Sequence, residues 1–185
     1  MFNPVEKQFI LQLARTSIEH YFATGKLLKM KEEEMPFSLK EERSCFVTLK
    51  LAGVLRGCIG RLEPAQPLHL DIIENAVWSA FADARFVPLS SEEYKLIDLE
   101  ISVLTTSQEL NFFTPEELLQ KLRPGIDGVI IRLGENSATY LPQVWEDLPD
   151  KIHFLDSLCE KAGLVAGDWK KQGMKVLVYQ VEIVK

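Results

Sequence analysis

The sequence predicts an α+β fold of antiparallel sheets with flanking helices. Three observations carry that expectation. Strand-like stretches lie at 45–59, 99–104, 128–141 and 176–184, whereas helical spacing holds after Asn3, after Pro67 and over 149–162. Several strand stretches are hairpin neighbours joined by short turn-forming sequences. Strands and helices do not alternate strictly, which disfavours a doubly wound parallel sheet.

The first helix has a start written into it. Asn3 is placed to cap, Pro4 suits the first helical position and Glu6 completes a capping box. Ile10, Leu13, Ala14, Ser17, Ile18, Tyr21 and Phe22 form one stripe, and Gly25 suits the stop. Residues 26–43 are polar apart from Met35-Pro36-Phe37 and read as a connection. Cys45 to Leu51 reads as a strand with one apolar face, Ala52-Gly53 as a turn, and Val54 to Ile59 as the returning strand.

A long helix follows Pro67, with Ile72, Ile73, Ala76, Val77, Ala80, Phe81 and Ala84 on one side. The β-branched run Leu99 to Leu104 is a strand, and Thr114-Pro115-Glu116-Glu117 opens a short helix that ends before Pro124-Gly125. Gly128 to Leu133 and Ala138 to Leu141 form a hairpin around Gly134-Glu135-Asn136. A helix over 149–162 carries Ile152, Leu155, Cys159 and Ala162 and closes at Gly163. Val176 to Val184 is expected as one long last strand with Leu177, Tyr179, Val181 and Ile183 on one face.

Length and composition set outer bounds. A chain of 185 residues falls within the roughly 100–200 residues of one domain, and no repeat or flexible linker interrupts it, so residues 1–185 are expected to form a single domain. At that size about 70% of the unfolded surface is buried on folding, and no metal or disulfide is needed. The net charge of −6 argues against a broad nucleic-acid surface, which depends on clustered Lys and Arg. Cys45, Cys58 and Cys159 are an odd number without paired spacing, so reduced thiols in a cytoplasmic compartment are expected. The N-terminus does not read as a secretory leader, and no apolar run approaches the ~20 residues that cross a bilayer.

Leu55-Arg56-Gly57-Cys58-Ile59-Gly60 is the stretch that could carry chemistry. Strand alternation places Leu55, Gly57 and Ile59 on one face and Arg56 with Cys58 on the other. A guanidinium beside a thiol favours the thiolate, which is the nucleophile. Gly57 and Gly60 allow another backbone or a ligand to come close. Cys58 and Arg56 are therefore the candidate catalytic pair. The structural alternative makes Cys58 a small buried hydrophobe and pairs Arg56 with a carboxylate such as Asp83 or Glu100. A Cys–His arrangement needs His69 or His153 to meet Cys58 in space, since no sequence motif joins them. Neither metal-ligand spacing nor a phosphate loop occurs, so no cofactor or metal is expected.

Asp83-Ala84-Arg85-Phe86-Val87-Pro88-Leu89 closes the long helix, where Arg85 suits the dipole and Phe86 with Leu89 packs. Its first reading is structural. Asp83 and Arg85, with Gly57 and Gly60, are the candidates for contact with a ligand. Tyr140-Leu141-Pro142-Gln143-Val144-Trp145-Glu146 reads as core and turn, and second as a wall for a substrate or partner.

Taken in order, these segments resemble the AMMECR domain family, whose bacterial and archaeal members form the A component of AmmeMemoRadiSam systems. The resemblance rests on Phe46-Val47-Thr48-Leu49, on the six residues Leu55 to Gly60, on Asp83 with Arg85-Phe86 and Pro88-Leu89, and on Glu100 to Leu104. It continues through Gly128 to Ile131, Leu141 to Glu146, and Lys161 to Leu164 ahead of Trp169, so it spans nearly the whole chain. It implies two unequal lobes, the larger holding both termini, with the Leu55–Gly60 signature near a cleft between them. It also implies a shared system with a radical SAM enzyme and a Memo-type protein, and attaches no settled reaction. An enzyme working through Cys58 and an adaptor holding a peptide or small molecule in the cleft are the two functions this leaves open.

Overall fold

The computed structural model describes all residues from Met1 to Lys185. They form an α+β structure with two antiparallel four-stranded sheets, and they divide into two compact units. One unit comprises Met1–Leu104 with Glu182–Lys185, and the other Thr105–Val181. The first is the larger and contains both termini.

In the larger unit, α1 (Pro4–Thr24) begins as expected: Asn3 accepts from the Glu6 N–H while Glu6 reaches back to the Asn3 N–H. Gly25 stops it in the left-handed conformation, at φ 67°. The connection over 26–43 holds two 3₁₀ turns, Glu32–Glu34 and Phe37–Leu39, and sends Met35 and Leu39 into the core. Strands β1 (Cys45–Leu51) and β2 (Val54–Gly60) form a hairpin around Ala52 and Gly53. Both turn residues have positive φ, 50° and 80°, which matches the right-handed twist of a two-residue hairpin.

Helix α2 (Leu68–Phe81) and the short α3 (Ser91–Tyr94) precede β3 (Ile97–Leu104). The sheet order is β2-β1-β3-β8, where β8 is Val181–Val184. One apolar core joins Ile10, Ile18, Val47, Leu49, Ile72, Ala76, Ile101 and Val103 between helices and sheet. Each such Ile or Leu, fully buried, contributes roughly 1.5–3 kcal/mol.

The smaller unit contains β4 (Gln108–Glu109), α4 (Pro115–Lys121), β5 (Gly128–Leu133), β6 (Asn136–Tyr140), α5 (Lys151–Lys161) and β7 (Lys175–Tyr179). Its sheet order is β4-β7-β5-β6. Leu118, Val129, Ile131, Leu155, Leu158 and Val176 make its core, with Trp145 stacked on Phe154 at 3.6 Å. The Trp145 indole N–H is satisfied by the Asp127 carbonyl at 2.7 Å.

Two expectations are corrected here. The stretch Val176 to Val184 is not one strand: it breaks at Gln180, and β7 and β8 belong to different sheets. Gln180 is held at the break by Thr105, whose hydroxyl accepts its N–H and whose own N–H donates to its carbonyl, both at 2.9 Å. The long helix ends at Phe81, so Ala84 lies beyond it. No helix is long and apolar enough to cross a membrane.

Candidate functional site

Strand β2 is an edge strand, and its register departs from simple alternation. Leu51 pairs with Val54 and Lys50 with Leu55, but Leu49 pairs with Gly57, so Arg56 is an extra residue in a β-bulge. Leu55 and Gly57 therefore oppose residues on opposite faces of β1. Gly57 and Ile59, opposite Leu49 and Val47, share a face as expected, but Leu55 does not join them, and the alternation that set Arg56 beside Cys58 is interrupted at the bulge.

Arg56 is buried, 9% exposed, and its guanidinium is already engaged. Nε donates to Glu93 Oε1 at 3.0 Å and Nη2 to Glu93 Oε2 at 3.1 Å, with a further bond to the Val87 carbonyl at 2.9 Å. The partner is neither Asp83 nor Glu100. Glu93 also accepts the Ser90 N–H in a capping box that opens α3. The Arg56 guanidinium, helped by that N–H, holds the Glu93 carboxyl down to about 2. The Ser90-x-x-Glu93 spacing was the available sequence signal for this residue.

Cys58 pairs with Thr48, on the opposite side of β1 from the buried Val47 and Leu49. Cys58 is partly exposed, whereas Cys45 and Cys159 are buried. The Thr48 hydroxyl donates to Cys58 Sγ at 3.3 Å. Burial pushes the Cys45 thiol well up, and burial also raises that of Cys159. Of the two histidines considered as partners, His69 is buried with Nδ1 at 3.0 Å from the Leu39 carbonyl, and His153 stands exposed on α5.

The backbone of Cys58 is gripped from the open edge. Its N–H donates to Asp83 Oδ2 at 2.9 Å, and its carbonyl accepts from Arg85 Nη2 at 3.1 Å. Asp83 and Arg85 are bound to each other through Nε at 2.9 Å and Nη2 at 2.7 Å, and the Arg85 N–H donates to Asp83 as well. The two side chains thus supply the acceptor and donor that a neighbouring strand would have offered. The Arg85 guanidinium, then the Cys58 N–H, keep the Asp83 carboxyl far below the usual carboxylate range despite its burial. Arg85, rather than Arg56, is the guanidinium at Cys58, and Asp83, with a smaller electrostatic contribution from Cys58, raises its pKa.

The glycines are packing positions. A Cβ at Gly57 would fall inside the backbone carbonyl of Ser79 on α2, and one at Gly60 would meet the Cys45 carbonyl and the Phe46 ring. The chain's own atoms fill the room that these glycines leave. Beneath β1, Asp71 is fully buried, accepts the Cys45 N–H at 2.9 Å and pairs with Arg61 at 2.7 Å; burial raises its pKa. No three side chains among His, Cys, Asp and Glu gather closely enough to hold a metal ion.

Fold and site together define a two-sheet α+β protein whose edge strand carries a partly exposed cysteine with a fastened backbone. The chain belongs to the AMMECR1 family, whose model matches residues 11–184. It is similar to Protein MK0488 of Methanopyrus kandleri, at 38% identity over 182 residues, covering 96% of this chain and 87% of that one. It is also similar to Protein PH0010 of Pyrococcus horikoshii, at 39% identity over 186 residues, 95% of this chain and 87% of that one. The crystal structure of the uncharacterised protein PH0010 matches with a TM-score of 0.85 at 37% identity, over 98% of this chain and 92% of that chain.

Proposed function

We propose that Cys58 is the working residue of this AMMECR1-family protein, a thiol presented by a stiff edge strand to an electrophilic group. Arg85 is the cation beside it, and Arg56 has a positioning role through Glu93. The association implied by the family resemblance puts this step in a system with a radical SAM enzyme and a Memo-type protein. The observation that carries the reading is that only one of the three cysteines is not buried, and its backbone is fixed on the open edge by Asp83 and Arg85. A group held in one geometry on a strand reacts without first being ordered.

Iodoacetamide labelling of the folded chain tests it. Cys58 is expected to alkylate faster than a simple thiol at neutral pH, with Cys45 and Cys159 protected. Arg85→Gln is expected to slow Cys58 by about two- to tenfold. A Cys58 rate no higher than that of a free thiol removes the chemical role.

A second reading, a non-catalytic adaptor, draws support from the engagement of Arg56 by Glu93 and the Val87 carbonyl, which takes that cation away from chemistry. Cys58→Ser separates the two. Partner binding and biological activity both survive under the adaptor reading, whereas activity alone is lost under the thiol reading.

A further inference from the structure

We propose that the smaller unit carries a binding pocket for a small monocarboxylate, recognised by Arg123. This goes beyond the Cys58 reading and does not depend on it. A cavity of about 380 Å³ is lined by Thr105, Thr106, Gln108, Arg123, Asp127 and Gln180, with Val178 and Tyr179 as its apolar part. That volume lies at the lower end of the range of about 300–1,000 Å³ for small-molecule sites.

Arg123 is fixed before any ligand arrives. Its N–H and Nε donate to Asp127 Oδ2 at 2.9 and 3.1 Å, and Nη2 donates to Oδ1 at 2.6 Å. The side chains are 53% and 2% exposed respectively, so the carboxylate is sealed and the accessible end of the pair is cationic. Asp127 is itself held, because its carbonyl accepts the Trp145 indole N–H. A guanidinium anchored in this way loses little conformational freedom when it binds a carboxylate, and its planar fork matches that group.

Apart from Arg123 and its partner Asp127, the lining supplies hydrogen bonds and no charge. Thr106, Gln108 and Gln180 are exposed and their side chains make no bond within the protein. The Tyr179 hydroxyl is taken by Thr139 at 3.1 Å and by the Tyr140 carbonyl at 3.2 Å, which leaves its ring to the pocket. Asp127 takes Nε and one Nη2 hydrogen, and the outward N–H groups of the guanidinium remain to donate to a ligand carboxylate. The Arg123–Asp127 pair is neutral as a whole, so a doubly charged phosphate is opposed more strongly than a singly charged carboxylate, and the chemistry favours a carboxylate with amide or hydroxyl groups nearby.

The test titrates N-acetylglycine into the full chain and follows backbone amide resonances, with uncharged N-acetylglycinamide as the control. Saturable shifts are expected at Thr105, Thr106, Gln108 and Gln180, with the amide binding about tenfold more weakly. Gln108→Ala, on the exposed strand β4, is expected to weaken binding about threefold, and Arg123→Lys about tenfold while still giving Asp127 a cation. No saturable shift at these residues in the wild-type chain, or equal binding of the two probes, overturns the proposal. Either result leaves the Cys58 alkylation experiment unaffected.

Discussion

Gly57 shows how much can depend on one missing side chain. Its Cα lies under the Ser79 carbonyl of α2, where no Cβ fits. The obstacle is backbone, and a helix cannot yield as a flexible side chain does. Gly57→Ala is therefore expected to lower the stability of the larger unit by about 2–4 kcal/mol, measured by denaturant unfolding. A loss below about 0.5 kcal/mol would show that α2 is free to move away. The glycine in the motif is explained by its packing against α2. Of the two side chains in the signature with chemistry to offer, Arg56 is buried in its ion pair with Glu93, which leaves Cys58, the next residue of the same strand after Gly57.

At the scale of the element, β2 is an edge strand that the protein does not leave bare. An exposed edge offers unpaired N–H and C=O groups to any other extended chain. Here Asp83 and Arg85 meet one pair of them, at Cys58. Asp83→Ala removes the acceptor and releases Arg85. The Cys58 amide is then expected to lose most of its hydrogen-exchange protection, with a stability loss of about 1–3 kcal/mol. Unchanged protection at Cys58 would show that the clamp is incidental. A comparable device sits on the other sheet, where Lys161 donates to the Thr139 carbonyl on edge strand β6.

For the whole molecule, acid stability follows from the same ion pairs. Glu93 titrates at about 2 when folded, below the ordinary glutamate range, because of Arg56. Between those values the unfolded chain binds more protons, so stability falls as pH drops from the ordinary range towards 2. Asp83, depressed by Arg85, acts in the same direction at lower pH. Asp71 has the opposite sign: burial raises its pKa, so its contribution weakens as pH rises through the window above the ordinary aspartate value. Glu93→Gln should flatten the acid limb and cost about 1–2 kcal/mol at neutral pH, since Arg56 loses a charged partner while staying mostly buried. An unchanged slope between pH 4.5 and 2 would exclude Glu93 as its source.

The sequence by itself determined the elements and their punctuation. Asn3, Pro4 and Glu6 start α1 and Gly25 stops it, because capping uses groups within a few residues of one another. The β1–β2 and β5–β6 hairpins were legible for the same reason: their patterns are local. The α5 stripe was legible at Leu155, Cys159 and Ala162, whereas Ile152 stands exposed and Phe154 and Leu158 fill the core instead. Only the tertiary structure decided that Arg56 sits in a bulge, that Glu93 and not Asp83 is its partner, and that Asp83 and Arg85 grip Cys58. It also decided that the unbroken alternation from Val176 to Val184 is divided between two sheets at Gln180. A strand's side-chain period says which residues share a face, but the partner strand fixes the register. An extra residue, or a hydrogen bond from Thr105 far back in the chain, changes the outcome without leaving a mark in the local pattern.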